Sequence, residues 1–360
     1  MKNRLTRLAP LTALACALAL PLALSGCTTA REAEARANAN NGSAVQCPVE
    51  VNKAATGAVR LGWQAIPGAN LLVKDKGWIE ACLPNVTVTW IKFDSGADVV
   101  QGFGSGSVDL STLGSSPATK ALSAPLNVDM QVVWIDDVIG AAESLVVKDP
   151  EVKTLTDLRG KTIAVPFSST SHFSLLMALQ AANLRVGTDV KLINLSPDKI
   201  LAAWSGREVD AAWVWDPVLS ELTEHGHIIT GSQETAAQGK PTFDLEGATR
   251  KFVSANPGFM DTWTALQDHA VGLLTGSDQQ AAAQSVAVQL GSTPEAVRGQ
   301  LKGYTYPRAA DQVKLLAELP GQLKSTAEFL ATQGEVASVS DLSTYRAGVY
   351  QTSIEKVAKR

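Results

Sequence analysis

Residues 160–180 read GKTIAVPFSSTSHFSLLMALQ, and the fold is decided in this stretch. Lys161 to Val165 is a short apolar run containing β-branched residues, bounded by Gly160 and Pro166, which suits a buried strand. Phe167 to Ser171 is a hydroxyl-rich loop. From Phe173 to Gln180 the apolar residues fall at 173, 175, 176 and 179, a helical spacing. A strand that passes into a helix through Ser168, Ser169, Thr170 and Ser171 leaves backbone N–H groups and hydroxyls free at a helix N-terminus, where an anion is favoured. The plainer reading is that the hydroxyls only cap the helix.

A second handover of the same kind lies upstream. Val108 to Leu113 reads as a strand, and Gly114-Ser115-Ser116-Pro117 opens a helix that runs through Leu122. Hydroxyls at the cap and Pro in the first turn form a strong helix start. Around these two points strands and helices alternate, once before and once after a break near residues 140–144. Such alternation builds parallel sheets that bind ligands at the carboxyl ends of their strands. The chain returns to the first unit near 245–249 and is mostly helical from Asn256 onward. The expected architecture is α/β with two lobes: 57–142 and 246–360 form lobe I, and 143–245 form lobe II. Each lobe is expected to be a mostly parallel sheet flanked by helices. Two crossings between two lobes describe a clamshell with the ligand at the interface.

The ends set the expected address. Residues 1–7 carry Lys2, Arg4 and Arg7 without an acid, residues 8–24 are apolar, and Leu24-Ser25-Gly26-Cys27 follows. Residues 1–26 read as a secretory signal, too short and too small-residue-terminated for a membrane span. Leu-Ser-Gly-Cys resembles the lipobox of bacterial lipoproteins, so Cys27 is the expected lipidation site and the lipid bilayer an expected partner, through more than one acyl chain. Residues 27–56 are rich in Ala, Asn and Glu and read as a flexible tether. The expected location is exported and lipid-anchored to the cell membrane, facing the periplasm or outer surface. Of the four cysteines, Cys47 and Cys82 remain once Cys16 and Cys27 are set aside. An even pair in an exported protein favours a disulfide over two free thiols.

Charge and motif content exclude several chemistries. The formal net charge is −4, and residues 1–26 hold three basic and no acidic residues, so the remainder carries −7. That balance disfavours a nucleic-acid partner. Gly160-Lys161-Thr162 ends like a phosphate-binding loop, but Leu155 stands where its first Gly belongs. No metal set accompanies the four His, of which only His225 and His227 are close. No Gly-x-Ser-x-Gly elbow is present. Neither an enzyme nor a cofactor is expected.

What remains is a pocket vocabulary. Two hydroxyl-bearing helix starts face an anion from two lobes. Asp94, Asp136, Asp137, Glu143, Asp216 and Asp244 lie near strand ends or crossings, as do Trp63, Trp134, Trp213 and Trp215. Each alone is more often a cap, a solvated group or core. Together they describe a site for a small zwitterion, with carboxylates for an amine and aromatic faces for cation–π attraction of roughly 0.5–2 kcal/mol.

Long segments carry a resemblance: WIKFDSGADVV (90–100), LGSSPAT (113–119), AAESLVVK (141–148), LRGKTIAVPFSSTSHFSLLMAL (158–179), INLSPDKILAAWSGREVDAAWVWDPV (193–218) and GKPTFDL (239–245), with KGYTY (302–306) in the helical tail. From Val59 to about Phe252 the sequence resembles the periplasmic taurine-binding proteins of ABC importers, within the nitrate/sulfonate/taurine solute-binding family. The resemblance implies a type II periplasmic-binding-protein clamshell that acts as a monomer and delivers its solute to an ABC permease and its ATPase. It implies that Ser115, Ser116 and the loop Ser168, Ser169, Thr170 to His172 hold a sulfonate. Glu143 and Asp244 would hold the ammonium, and Gln64, Trp213 and Trp215 would complete the wall. The chain departs from the family pattern at Trp63 and Trp213, where Tyr is usual, and at Asp216, where a small residue is usual. An aliphatic-sulfonate or betaine receptor is the alternative on the same fold, and an enzyme of pyrimidine-precursor synthesis a more distant one.

Overall fold

In the stretch Val86 to Lys92 the side chains of Thr87 and Thr89 are exposed between half-buried Val86, Val88 and Trp90, the period expected of a strand with one wet face. The strands Leu110–Gly114 and Glu143–Val147 are buried throughout, as strands covered on both faces are. The computed structural model of the chain describes residues 45–359. The expected signal segment, Cys27 and most of the expected tether lie outside the described residues. Eleven strands occur among the described residues: β1 Gly57–Trp63, β2 Val86–Lys92, β3 Leu110–Gly114, β4 Met130–Ile139, β5 Glu143–Val147, β6 Thr162–Val165, β7 Lys191–Asn194, β8 Ala211–Trp215, β9 His227–Gly231, β10 Phe243–Thr249 and β11 Tyr304–Thr305.

They form two sheets. One has the order β11-β4-β10-β3-β1-β2 and the other β7-β6-β8-β5-β9. Helices separate consecutive parallel strands and cover the sheets. Both sheets are mixed, whereas the alternation of elements predicts mostly parallel ones. β2, β1 and β3 run parallel, and β7, β6 and β8 run parallel. The strands on either side of the crossings are antiparallel: β10 to β3 and β4, β11 to β4, and β5 to β8 and β9. The reason is topological. A strand that enters a lobe from the other lobe arrives at the interface end, opposite to a strand that leaves a βα unit.

The chain passes from the first sheet to the second at residues 140–142 and back between the helix Ser232–Ala237 and β10. β10 belongs wholly to the first sheet, so the return crossing falls a few residues ahead of the expected 245/246 boundary. Gly303 braces the first crossing. Its carbonyl accepts from Gly140 N at 3.0 Å and from Ala142 N at 3.3 Å. A Cβ at Gly303 would sit 2.5 Å from Ala142 N, so only glycine permits this approach.

The first core gathers Leu61, Leu113, Trp134 and Met130 from the first sheet with Leu72 from the helix Ala69–Lys76 and Trp263, Leu266 and Leu316 from the C-terminal helices. The second lobe has separate cores on the two faces of its sheet. Cys47 and Cys82 are joined, with Cα atoms 4.9 Å apart across 35 positions of sequence. Asn52 N donates to the Cys82 carbonyl. The end of the expected tether is thus held against the first lobe. Closing a loop of that length contributes about 3–4 kcal/mol through the unfolded state.

Candidate functional site

One cavity lies where the strands point. β1 ends beside Gln64, β3 ends at Gly114, β6 leads into Ser169 and Thr170, and β8 ends at Trp215. β10 begins beside Asp244 and β5 begins at Glu143. Gln64, Glu143, Ser169, Thr170, Trp215 and Asp244 all line this cavity, as does Tyr304 of β11. It measures about 20 Å³, little more than the room a single water needs, so the lobes are drawn together around it.

The two helix starts meet here. The helix Ser115–Leu122 takes Gly114 as its N-cap without a side-chain cap bond. The helix Thr170–Ala181 is capped by Ser169, whose Oγ accepts from His172 N at 3.1 Å and donates to the Pro166 carbonyl at 2.6 Å. A Cβ added at Gly114 would lie 2.7 Å from Thr170 Cγ2. The first turns therefore approach each other across the interface, and their amides lack intrahelical acceptors. Ser116 Oγ and Ser171 Oγ are buried without a partner.

Hydroxyls expected to face an anion are mostly engaged elsewhere. Ser115 Oγ accepts from Phe243 N at 3.2 Å. Ser168, at φ 65°, accepts from Lys120 Nζ at 2.7 Å, and the same ammonium reaches Glu335 at 2.7 Å. Thr170 Oγ1 donates to Glu143 Oε2 at 2.5 Å. The anion-binding capacity of the cavity therefore resides chiefly in backbone N–H groups.

Other expected wall residues are placed away from the cavity. Ser115, Ser116, Ser168, His172 and Trp213 do not line it. His172 stacks on Phe167 with ring centroids 4.6 Å apart, and its Nδ1 accepts from Ser168 N at 3.3 Å. Burial pulls its pKa down to about 4, so the ring is neutral and braces the loop. Trp213 is 0% exposed and packs with Leu145, Ile163 and Leu175. Trp63 lies beneath Lys74 at 4.7 Å from its ring centroid, and Asp216 accepts from Ser220 N and Oγ as a helix cap. None of the three departures from the family pattern lines the cavity.

The same cavity carries two acids. Glu143 accepts from Thr170 and, at 2.7 Å, from Ser232 Oγ, which also meets Ser174 Oγ at 3.0 Å. Burial pushes the Glu143 carboxyl up to about 7, against the pull of these hydroxyls. Burial, helped by the neighbouring Glu143 charge, pushes Asp244 up to about 8. Neither carboxylate forms an ion pair among the described residues. Two such groups at one cavity favour a ligand that brings its own positive charge. Trp215 and Tyr304 add aromatic surface beside them. Tyr304 OH is buried without a partner. The sequence reading misses Tyr304 and Ser232. KGYTY in the quoted resemblance holds the only signal for Tyr304, and Ser232 has none.

Two lobes, each a mixed α/β sheet, closing on one polar cavity define a clamshell of the solute-binding kind. Residues 52–290 match the model of the NMT1-like family, and the chain belongs to that family. It is 37% identical over 272 residues to the taurine-binding periplasmic protein of Escherichia coli (strain K12), covering 72% of this chain and 82% of that protein. The fold is shared with the alkanesulfonate-binding protein SsuA from Xanthomonas axonopodis pv. citri bound to MOPS. That match has a TM-score of 0.69 and 23% identity, over 82% of this chain and 99% of the other. It is shared equally with the periplasmic aliphatic sulphonate binding protein SsuA from Escherichia coli, with a TM-score of 0.67 and 24% identity, over 82% of this chain and 92% of the other.

Proposed function

We propose that this chain is the exported solute-binding component of an ABC importer and captures taurine, or a close aminosulfonate, between its lobes. The observation that carries the reading is the pairing of opposites in one cavity. Two helix N-termini meet at Gly114 and Thr170, and two buried carboxylates without ion-pair partners, Glu143 and Asp244, line the same space. The helix dipoles and free amides suit a sulfonate, and the carboxylates suit an ammonium a few ångströms away. The sequence similarity to a taurine-binding periplasmic protein supports the same ligand class. The role is capture and release, and the permease and its ATPase are the partners it serves. Anchoring through Cys27 and action as a monomer belong to the same reading, as does the division into two lobes, with the return crossing placed ahead of β10.

Residue roles follow from placement. Glu143 and Asp244 take the ammonium, while Gln64, Ser169, Thr170 and Trp215 shape the space around the two-carbon link. The free first-turn amides of the two facing helices, Thr170 among them, are the donors offered to the sulfonate. Thr170 ties the two roles together, because its amide is one of these donors and its hydroxyl holds Glu143.

A thermal-shift panel of taurine, ethanesulfonate, glycine betaine, sulfate and nitrate tests this. Ligand present at a thousandfold excess over Kd stabilises by about 4 kcal/mol. That raises the melting temperature by roughly 6 °C for a chain of this size. Taurine is expected to give such a shift, glycine betaine and ethanesulfonate much less, and sulfate and nitrate none. A betaine shift equal to that of taurine would transfer the assignment to methylated amines. An ethanesulfonate shift equal to that of taurine would remove the ammonium role of Glu143 and Asp244.

A further inference from the structure

Behind Asp244 the floor of the cleft holds more acid than one ammonium can use. β4 and β10 pair antiparallel with Asp137 opposite Asp244, and the register shifts between Asp244 and Leu245 so that Asp136 is the extra residue. Glu246 lies two positions further along β10. Asp136, Asp137, Asp244 and Glu246 are each 5% exposed or less. Both oxygens of Asp136, one of Asp137 and one of Glu246 are buried without any partner. Such groups are costly, and each of them calls for an explanation.

The surroundings supply no positive charge. From β3 the Thr112 hydroxyl donates to Glu246 Oε1 at 2.6 Å, and Asn70 in turn donates to Thr112 at 2.6 Å. From the helix Ala309–Thr332, Gln312 clasps both backbone groups of Ile135 and offers the acids nothing. Glu143 approaches from β5, and Asp216 from the end of β8. Tyr304 and Tyr306 approach from the β11 segment, their hydroxyls held un-ionised by burial and by the same acids. No Lys, Arg or His forms an ion pair with any of these carboxyls among the described residues. Metal clusters of three or more ligating side chains are likewise absent among those residues.

We propose that Asp136, Asp137 and Glu246 form a second carboxyl layer beneath the cleft, which sets its preference for a cationic solute over a neutral-ended one and gives up a proton when that solute docks against Asp244. This rests on the aminosulfonate reading above. Burial, together with the mutual repulsion of the carboxylates, raises all four groups, Glu246 to about 8 and Asp136 and Asp137 well above their usual range. Before binding, burial therefore favours the protonated form throughout the layer. The balance is simple. An ammonium enters, one O–H bond of the layer breaks, the electron pair stays on the carboxylate, and the proton leaves for solvent through the cavity that Asp244 lines. A sulfonate without an ammonium draws no proton out and gains nothing from the layer.

The sign of the pH effect follows. An acid whose pKa is raised on folding stabilises the fold below its unfolded value near 4 and loses that contribution as pH rises through its folded value. The unliganded protein therefore loses stability between about pH 5 and pH 8, and taurine restores more of it at pH 8 than at pH 6.

Calorimetric titration of taurine at pH 7, in two buffers of different ionisation enthalpy, counts the protons. The wild-type chain is expected to release roughly 0.5–1 proton per taurine bound. Asp136→Asn and Glu246→Gln are each expected to cut that release by half or more and to lower the taurine-to-ethanesulfonate preference about tenfold. Melting curves confirm that each variant is folded, and the two variants cover one another. Taurine binding with no proton released, or with release and preference unchanged in both folded variants, overturns the layer and leaves the ligand assignment standing. A folded wild-type chain that does not bind taurine overturns the ligand assignment and the layer's role with it.

Discussion

Glu143→Gln is expected to weaken taurine binding by roughly 30-fold to a few thousandfold, with Asp244→Asn close behind. The reason lies in what each substitution leaves unpaired. Removing one partner of a buried charge pair costs about 2–5 kcal/mol, much of it the penalty of a charge left without its counterpart. Each amide variant keeps the shape and a hydrogen-bonding oxygen but cannot carry the negative charge an ammonium needs. Glu143→Gln also disturbs a bond pattern, since Thr170 and Ser232 both donate to this carboxylate and an amide nitrogen cannot accept from either. Ethanesulfonate has no ammonium, so its weaker binding is expected to change less than threefold. Titration calorimetry of both solutes on each variant checks this. Equal losses for taurine and ethanesulfonate would mean that these acids hold the cleft together and do not recognise a charge.

Gly114→Ala is expected to abolish tight binding while leaving the unliganded fold intact. Gly114 has φ −70° and ψ 162°, a conformation open to any residue, so alanine strains no backbone. The obstacle is across the interface. The new methyl would sit 2.7 Å from Thr170 Cγ2, a separation that forces one of the two lobes to move. Nothing inside the first lobe has to shift, so the melting temperature of the free protein is expected to stay within roughly 2 °C of wild type. Taurine affinity is expected to fall at least a hundredfold, because a cleft held ajar separates the two helix starts and the carboxylates. Thr170→Ser in the same chain removes the offending methyl and keeps the hydroxyl on Glu143, and it is expected to restore most of the affinity. Small-angle scattering gives an independent reading, since taurine should compact the wild type and the double variant but not Gly114→Ala. Unchanged affinity in Gly114→Ala would show that the two helix starts do not come together around the solute.

The strand, loop and helix at 160–180 were legible because each carries its own local signal: an apolar run, a hydroxyl cap and a helical period. The same holds for Ser115 to Leu122. Local signals stop short of direction. Whether β5 and β10 run with or against their neighbours depends on which lobe the chain has just left, and no pattern in either strand encodes that. Glu143, Asp244 and Trp215 stand near strand ends, where such sheets put ligands, whereas Gln64 is named only by the family resemblance. Ser168 and His172 could not be separated from Ser169 and Thr170 in sequence. Only the backbone turn at Ser168 decides which side chains face the cavity and which brace the loop. Trp213 and Trp215 stand two apart, yet one is core and the other wall, because the strand ends between the lobes. Tyr304 enters from 55 residues beyond the end of β10, a juxtaposition that tertiary topology alone creates.

The placement of β10 bears on how the chain is made. This strand sits between β3 and β4, in the interior of the first sheet, yet it follows the whole second lobe in sequence. While the polypeptide emerges, the N-terminal lobe lacks an inner strand until residues 243–249 arrive, and its sheet edges stay unpaired. The second lobe, contiguous in sequence, can condense first. A chain whose leading lobe waits for β10, and then for β11 and the C-terminal helices, is slow to become compact, because pairings across a long separation form late. Pulsed hydrogen exchange during refolding reads the order directly, and amides of β5, β6 and β8 should be protected ahead of those of β3 and β4.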